Sequence, residues 1–156
     1  MTEFTFNRAR SVAVTGHRVL GKDINKQRLD EIFRKLVDSG VNIFYIGMAL
    51  GFDTMCFQVL EKIREEKDIK LVACIPCPSQ PMRFNFEQKR EYERMVKSAD
   101  IKVIISNEYT PTCMQKRNEY MVDRAGILIS YLRRDYGGTK NTVDYAKKVG
   151  VTIYNV

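Results

Sequence analysis

The sequence predicts a single α/β domain in which a doubly wound, mostly parallel β-sheet carries helices on both faces. Three observations lead to this fold class. Six short runs rich in β-branched residues alternate with helical periodicity, most of these runs are nearly continuously apolar, and no Gly/Ser/Pro-rich linker or repeat divides the 156 residues. Continuous apolar strands are typical of parallel sheets covered on both faces. We therefore expect one domain over residues 1–156, with its core at about 10–156.

The predicted strands are the six β-branched runs. They occupy residues 12–14, 41–46, 71–75, 101–105, 127–132 and 151–154. Connections between neighbouring parallel strands are almost always right-handed crossovers, so the segments between the runs should lie on the faces of the sheet. The expected order is therefore β-α-β-α-β-α-β-α-β-α-β.

The predicted helices follow from apolar residues that recur three and four positions apart, the spacing of one helix face. The five stripes are Leu29, Ile32, Phe33 and Leu36; Cys56, Val59, Leu60 and Ile63; Phe84, Tyr92, Met95, Val96 and Ala99; Met114, Met121, Val122 and Ala125; and Val143, Ala146 and Val149. The third stripe is the weakest, because charged residues crowd that helix.

Composition excludes several classes of protein. Hydrophobic residues make up 44% and charged residues 29% of the chain, which is a normal globular balance. No apolar run approaches the roughly 18–20 residues that a membrane helix needs, and the first six residues do not resemble a secretory signal. We therefore expect a cytoplasmic protein with no membrane partner. A net charge of +7 makes anionic partners plausible without choosing among them.

The four cysteines predict reduced thiols rather than disulfides or a metal site. A chain of this length buries enough surface to fold without disulfides. Cys74 and Cys77 have thioredoxin-like spacing, but Cys74 lies inside a predicted strand rather than at a helix N-terminus, where a thiol becomes reactive. His17 is the only histidine, so multi-histidine metal sites are excluded. We predict no bound metal.

The unusual residues follow the predicted strands. In a doubly wound sheet, ligands bind beyond the carboxyl ends of the strands. The segments at this edge are residues 15–18, 47–54, 76–83, 106–112 and 133–142, and they are rich in glycine, proline and polar side chains. The connections at the opposite edge are short and ordinary. This asymmetry predicts a ligand-binding edge.

Two glycine-containing loops are candidate anion sites. Glycine lets backbone N–H groups approach a phosphate closely, and a helix N-terminus attracts negative charge. The candidate residues are Gly47, Ala49, Gly51 and Asp53 in one loop, and Gly137, Gly138, Thr139 and Thr142 in the other. The alternative is that these glycines only close tight turns. Because the chain has neither G-x-G-x-x-G nor G-x-x-x-x-G-K-[ST], dehydrogenase and P-loop NTPase functions lose their main support.

Further candidate residues come from three other segments. Thr15, Gly16, His17 and Arg18 follow the first strand; Arg18 could hold a phosphate, and His17 could bind a ligand or transfer a proton. The alternatives are that His17 caps a strand end and that Arg18 pairs with a carboxylate. The remaining candidates are Tyr109, Arg117 and Asn118, whereas Asp123 is interpreted as structural.

Four segments together resemble the SLOG superfamily, the Rossmann-like proteins of the Smf/DprA and LOG type, and in particular its small single-domain YpsA-like branch. The resemblance covers roughly residues 10–156. Residues 15–18 are similar to the opening motif of that branch, and 47–53 resemble the G-x-A-x-G-x-D loop of DNA-processing protein A. Arg117-Asn118 resembles the R-N helix start of the superfamily, and residues 138–150 resemble its G-[ST]-x-x-T-x-x-A-x-x-x-G segment.

The resemblance implies three functions, and a homo-oligomer. The first is binding of a nucleotide or nucleotide-derived ligand, with no certain cofactor. The second is hydrolysis of the N-glycosidic bond of a nucleoside phosphate, with Asp53, Glu108 or Asp144 as the carboxylate. The P-G-G-x-G-T-x-x-E motif of such hydrolases is incomplete here, since Tyr136 precedes Gly137. The third is single-stranded nucleic-acid binding through a basic surface.

Overall fold

A computed structural model describes residues 7–156, which form one six-stranded sheet and five α-helices. The elements are β1 (Ser11–Gly16), α1 (Lys26–Asp38), β2 (Ile43–Ile46), α2 (Phe52–Arg64), β3 (Lys70–Ile75), α3 (Phe86–Ser98), β4 (Ile101–Ile104), α4 (Cys113–Arg124), β5 (Ile127–Tyr131), α5 (Gly138–Val149) and β6 (Thr152–Asn155). Short 3₁₀ helices cover Arg8–Arg10 and Gln80–Arg83.

The sheet has the strand order β4-β3-β2-β1-β5-β6, and all five strand pairs are parallel. From β1 to β4 the chain moves towards one edge of the sheet, and after β4 it returns to add β5 on the other side of β1. The direction of winding therefore changes between β1 and β5. Ala13 marks this centre, since it is paired with Tyr45 of β2 and with Leu128 of β5.

Helices cover both faces of the sheet, and each face has its own hydrophobic core. On one face, α1, α2 and α3 contribute Phe33, Leu60 and Met95 to the larger cluster. On the other face, α4 and α5 contribute Val122 and Ala146 to the second cluster. The prediction of a doubly wound α/β sheet with helices on both faces is therefore confirmed.

Burial explains why some elements were easier to predict than others. Every residue of β2 is buried, as are five of six residues in β1. The edge strands β4 and β6 are only partly covered, and Ile104 and Tyr154 are exposed. The predicted strand positions Val41 and Ile105 lie just outside β2 and β4.

The predicted third stripe extends beyond the helix at both ends, since Phe84 and Ala99 lie outside α3. Asn85 caps α3, because its side chain accepts a hydrogen bond from the N–H of Gln88, whose own side chain accepts one from the N–H of Asn85. This capping box begins the helix at Phe86. Phe84 therefore lies before the helix, where its ring meets Tyr92 edge-to-face at 5.7 Å.

The other predicted stripes lie on helices, with exposed residues at two of their ends. Met114 near the start of α4 and Val149 at the end of α5 are 38% and 40% exposed. The four cysteines are free and buried, as predicted. Burial raises the pKa of the Cys74 thiol to about 12, which keeps it protonated at neutral pH. Within residues 7–156, no helix combines the length and apolar character needed to span a membrane.

Candidate functional site

A cavity of about 280 Å³ lies where the winding of the sheet changes direction, and we call it the switch-point cavity. It opens beyond the carboxyl ends of the central strands, which is where doubly wound sheets bind their ligands. Four segments form its walls: the loops after β1 and β2, the first turns of α4, and the start of α5. The lining residues are Thr15, Gly16, His17, Arg18, Val19, Ala49, Asp53, Met114, Arg117, Asn118, Arg134, Gly138 and Thr139.

A second cavity of about 410 Å³ lies beside the first, towards the carboxyl ends of β3 and β4. We call it the neighbouring cavity. It shares Arg18, Ala49 and Met114 with the switch-point cavity, so the two cavities adjoin, and we call them together the cleft. Large apolar and aromatic side chains supply much of its surface, and its other lining residues are Leu50, Cys77, Ser79, Gln80, Met82, Arg83, Phe84 and Tyr109.

A buried guanidinium group forms one wall of the switch-point cavity. Arg117 of α4 is only 6% exposed. Its Nη1 donates to the carbonyl oxygen of Gly47, and its Nε donates to Oδ1 of Asn118 at 2.7 Å. Gln80 also donates to the Gly47 carbonyl, at 3.0 Å. The hydrogen bond from Arg117 joins α4, on one face of the sheet, to the loop after β2, which leads to α2 on the other face.

Among the described residues, no carboxylate forms an ion pair with the positively charged Arg117. Burial lowers the pKa of Arg117, while the nearby charge of Asp53 raises it. Among the described residues, Arg117 makes no ion pair within 4 Å. A buried cation is costly unless it is paired or well hydrogen-bonded. Arg117 therefore has its backbone and amide partners but an incompletely balanced charge beside a cavity.

Asp53 lines the same cavity and is also buried. Its Oδ2 accepts a hydrogen bond from the backbone N–H of Ala49 at 3.1 Å, and within residues 7–156 its Oδ1 has no partner. Burial raises the pKa of Asp53 to about 6, against the charges of Arg117 and Arg18 and the Ala49 hydrogen bond. The side chain thus holds its own loop and leaves one oxygen unsatisfied.

Two glycines in the loop after β2 have packing roles. A Cβ at Gly47 would lie 2.8 Å from Nη1 of Arg117, so only glycine leaves room for the guanidinium group in its present place. Gly51 has φ +80°, and a Cβ there would overlap the carbonyl oxygen of Arg18. Between them Met48, a buried non-glycine residue, has φ 63°, a conformation that costs free energy and is enriched at functional sites. The positive φ of Gly51 thus fits the turn-closing alternative, whereas Gly47 leaves room for the Arg117 side chain.

The helices around the switch-point cavity begin differently from the others. The side chains of Asn25 and Asn85 cap α1 and α3. The helices α2, α4 and α5 begin without a side-chain cap, and these are the helices that contribute cavity residues. Uncapped N–H groups at a helix N-terminus carry partial positive charge and bind anions.

His17 connects the loops after β1 and β5. Its Nε2 accepts a hydrogen bond from the backbone N–H of Arg133 at 2.8 Å, and its ring meets Tyr131 edge-to-face. Burial, with the charges of Arg134 and Arg133, lowers the pKa of His17. This geometry supports the structural alternative for His17, in which the imidazole fastens a strand end.

The structure brings most predicted site residues to one cavity. Ten of them line it: Thr15, Gly16, His17, Arg18, Ala49, Asp53, Arg117, Asn118, Gly138 and Thr139. Tyr109 lines the neighbouring cavity. The other four, Gly47, Gly51, Gly137 and Thr142, do not line the switch-point cavity. The Thr142 hydroxyl instead donates to the Gly138 carbonyl within α5. Arg18 is exposed and, among the described residues, makes no ion pair with a carboxylate.

The structure adds lining residues that the sequence analysis did not single out. Arg134 lies in the predicted edge segment 133–142, Val19 directly follows the segment 15–18, and Met114 belongs to the predicted apolar stripe of α4. The 3₁₀ helix Gln80–Arg83 has no periodicity to mark it, and only its position after β3 indicated a role.

The three carboxylates considered for hydrolysis have different surroundings. Of these, only Asp53 lines the switch-point cavity. Asp144 is exposed and bonded to Lys140 at 2.6 Å, and Glu108 lies in an exposed turn beside Ser106. Asp123 accepts a hydrogen bond from the Tyr145 hydroxyl at 2.6 Å, which supports its structural interpretation. Within the described part of the chain, no group of three or more His, Cys, Asp or Glu residues is arranged to hold a metal ion.

Comparison with known proteins assigns the chain to a family. The YpsA family model, described as the YspA SLOG family, matches residues 12–153. The chain belongs to this family. The match extends from β1 to β6, so it includes every loop that contributes to the two cavities of this SLOG-family protein.

Two relatives from bacteria share part of the sequence. The chain is 32% identical over 120 residues to the uncharacterised SPbeta prophage-derived protein YoqJ of Bacillus subtilis strain 168. The aligned region covers 67% of this chain and 69% of YoqJ. It is 25% identical over 151 residues to the UPF0398 protein lin2003 of Listeria innocua, with coverage of 88% and 83%.

Two solved structures share the fold. DNA processing protein A (DprA) from Streptococcus pneumoniae has a TM-score of 0.69 at 15% identity, with coverage of 93% of this chain and 49% of that one. DprA from Helicobacter pylori, a protein with a described single-stranded DNA binding mode, has a TM-score of 0.67 at 16% identity over 92% and 63%. The chain thus spans about half to three-fifths of these DprA chains, and the likeness shows the fold alone.

The hydrogen bond at His17 predicts a pH dependence of folding stability. His17 must be neutral to accept from Arg133, and its folded pKa lies below the ordinary value of 6.5. At this residue the unfolded chain therefore binds more protons as the pH falls through 6.5, and the contribution of His17 to the free energy of unfolding decreases. The free energy of unfolding, measured with urea, should decrease more from pH 7.5 to pH 5.5 in the wild type than in His17→Gln, whose amide oxygen replaces Nε2. Asp53 and the other titrating groups are present in both proteins, so their contributions cancel in this comparison. Equal decreases in the two proteins would therefore contradict the role of His17.

The contact between Gly47 and Arg117 predicts an energetic coupling. Gly47→Ala should destabilise the protein by about 1–3 kcal/mol, because the added methyl group overpacks the guanidinium group. In an Arg117→Met background the same change should cost at least about 1 kcal/mol less. Gly51→Ala is the matched control, since its strain comes from the backbone and from Arg18 and should be unaffected by Arg117→Met. Chemical denaturation of the single and double variants measures the coupling, and additive costs at Gly47 would contradict it.

Proposed function

We propose that the protein binds an anionic, nucleotide-derived ligand in the cleft, with the phosphate in the switch-point cavity. The single observation that carries this proposal is the burial of Arg117 beside that cavity without a carboxylate partner within 4 Å among the described residues. A phosphate that enters the cavity would balance this charge, and charge-assisted hydrogen bonds of this kind are among the strongest in proteins.

The other charges of the cavity support an anion. Three arginines, Arg18, Arg117 and Arg134, line it against the single carboxylate Asp53. The start of α5 adds backbone N–H groups without a side-chain cap. Because Arg18 and Arg134 are exposed and Arg117 is buried, an anion that enters the cavity would pass two exposed cations before meeting the buried one.

Gly138 gives the proposal a steric signature. A Cβ built on Gly138 meets no heavy atom within 4 Å, so the fold itself does not require glycine there. The residue is the first of α5 and lines the cavity. Glycine at this position leaves space for a phosphate against the helix N-terminus, as the sequence analysis predicted for this loop.

The neighbouring cavity would accept the rest of the ligand. Leu50, Phe84 and Tyr109 supply apolar and aromatic surface, and Arg18 and Met114 lie at its junction with the switch-point cavity. Binding pockets commonly combine such a surface with a few fixed polar groups. A nucleoside moiety in the neighbouring cavity and its phosphate in the switch-point cavity would match this division.

A ligand screen tests the proposal. Melting temperatures would be measured with nucleoside mono-, di- and triphosphates, NAD, ADP-ribose and cyclic nucleotides at about 1–5 mM, which exceeds a submillimolar Kd. Binding to the folded state must raise the melting temperature. We expect a shift for one ligand class, and an affinity loss of about tenfold or more in Gly138→Ala and in Arg18→Ala.

Asn141→Ala, on an exposed position of the same helix, is the matched control and should bind like the wild type. No shift with any ligand would contradict the proposal, as would unchanged binding by Gly138→Ala.

Chromatography of the incubated ligand separates binding from hydrolysis. Release of the free base would make the site catalytic, with Asp53 as the carboxylate to test. A homo-oligomer and a cytoplasmic location stay predictions from the resemblance and the composition.

Single-stranded nucleic acid is a second candidate ligand, favoured by the exposed residues beside the cleft. Tyr109 and Tyr136 are 65% and 68% exposed. The Arg134 guanidinium group lies 5.0 Å from the centre of the Tyr136 ring. Exposed aromatic rings beside arginines are typical of sites where unpaired bases stack. Most other described aromatic side chains are at least partly buried.

Oligonucleotide binding distinguishes this candidate by its salt dependence. If a strand binds across Arg18, Arg134 and Tyr136, the affinity for a labelled oligothymidylate should fall steeply between 50 and 200 mM KCl, because counterions are released. Tyr136→Ala should weaken binding about five- to 100-fold through lost stacking, whereas Tyr136→Phe keeps the ring and should bind normally. Fluorescence anisotropy measures both. Binding that ignores salt, or that both variants weaken equally, would contradict a stacking site.

A further inference from the structure

We propose that Asp53 recognises a hydroxyl group of the ligand, so that the switch-point cavity selects a sugar phosphate over a bare anion. This inference rests on the proposed function, because it assumes that an anion enters the same cavity. It adds the chemical class of the group attached to the phosphate, and it gives Asp53 a role in specificity. The observation behind it is the buried side chain of Asp53, which lines a cationic cavity and has one oxygen without a hydrogen-bond partner among the described residues.

The position of Asp53 leaves it in need of a donor. The residue is 5% exposed and is the second residue of α2. Its Oδ2 has the Ala49 N–H, but among the described residues Oδ1 has no hydrogen-bond donor. Buried polar atoms are nearly always hydrogen-bonded, and an ionised carboxylate accepts several bonds. The loop after β2 therefore supplies a donor to one oxygen of this carboxyl group and leaves the other without one.

The groups that face Asp53 do not supply that donor. Arg117 of α4 and Arg18 of the loop after β1 act on it through their charge, but neither forms an ion pair with it within 4 Å. The thiols of Cys56 and Cys74 also face it and stay protonated because burial raises the pKa of each. With a pKa of about 6, Asp53 is mainly ionised at pH 7.5, so at that pH it is an acceptor.

The choice of ligand group follows from the charges. A negatively charged ligand group in direct contact with Asp53, in addition to the phosphate at the arginines, would be repelled. No described cluster of ligating side chains could hold a metal ion there. A hydroxyl group donates a hydrogen bond without adding charge. A phosphate bound by the arginines and a hydroxyl bound by Asp53 would satisfy both parts of the cavity, and a pentose phosphate carries both groups on one small molecule.

Two simple probes test this inference without knowledge of the natural ligand: inorganic phosphate and ribose 5-phosphate. Their dissociation constants would be measured by calorimetry at pH 7.5 for the wild type and for Asp53→Asn. The wild type should bind ribose 5-phosphate at least about tenfold more tightly than inorganic phosphate, because a hydrogen bond to a charged group contributes at least this factor. In Asp53→Asn this preference should fall about tenfold.

The sign of the change separates recognition from a structural role. Asp53→Asn removes a negative charge from the cavity, so inorganic phosphate should bind the variant more tightly than it binds the wild type, while ribose 5-phosphate should bind it more weakly. A purely structural defect would weaken both probes by the same factor, and that result would overturn the inference. Asp53→Ser, which also removes the charge, should give the same opposite changes, and thermal unfolding checks that each variant is folded.

The wild type alone can also overturn the inference. Equal affinity for the two probes would mean that no hydroxyl is recognised, yet the anion site of the proposed function would stand. If neither probe binds the wild type at 20 mM and the nucleotide screen is also negative, the proposed function itself fails. The two failures are therefore distinguishable.

Discussion

The arrangement of the loops at the carboxyl ends of the strands depends on one buried cation. Arg117 projects from α4 on one face of the sheet and donates to the carbonyl of Gly47 in the loop that leads to α2 on the other face. Gly47 has no side chain because that guanidinium group occupies the space. The loop from Gly47 to Gly51 then places Asp53 at the cavity wall. Burying this charge has a high free-energy cost, and a backbone carbonyl and an amide oxygen offset it only in part.

The N-termini of the helices show the same division between fold and site. Asparagine caps satisfy the first turns of α1 and α3, which contribute no side chain to the switch-point cavity. The helices α2, α4 and α5 lack such caps and surround it. A side-chain cap and a ligand would compete for the same N–H groups. The helices that begin with a side-chain cap therefore lie away from this cavity, and those without one converge where charge is also unbalanced.

Much of the fold could be predicted from the sequence, because the central strands are buried on both faces and show it as continuous apolar runs such as 41–46. The site was harder to predict, since its residues meet only through tertiary structure. Arg134 and Met114 reach the cavity from loops and helices far apart in sequence, and Gln80–Arg83 has no periodic signal. The sequence predicts an anion site or a tight turn at Gly47 and Gly51, whereas in the structure the groups that leave no room for a side chain there are Arg117 and Arg18. A sequence shows that space is needed, not what fills it.

The depth of Arg117 also bears on the kind of ligand. A nucleic-acid strand lying across this edge could contact Arg18, Arg134 and Tyr136, which are exposed at the rim. It could contact Arg117, which is 6% exposed, only with a group that leaves the strand and enters the cavity. A terminal phosphate of a small molecule meets this condition without distortion. The likeness to DprA lies in the sheet and helices and covers only part of those chains, so it does not decide between the two ligands. The burial of Arg117 favours the small one.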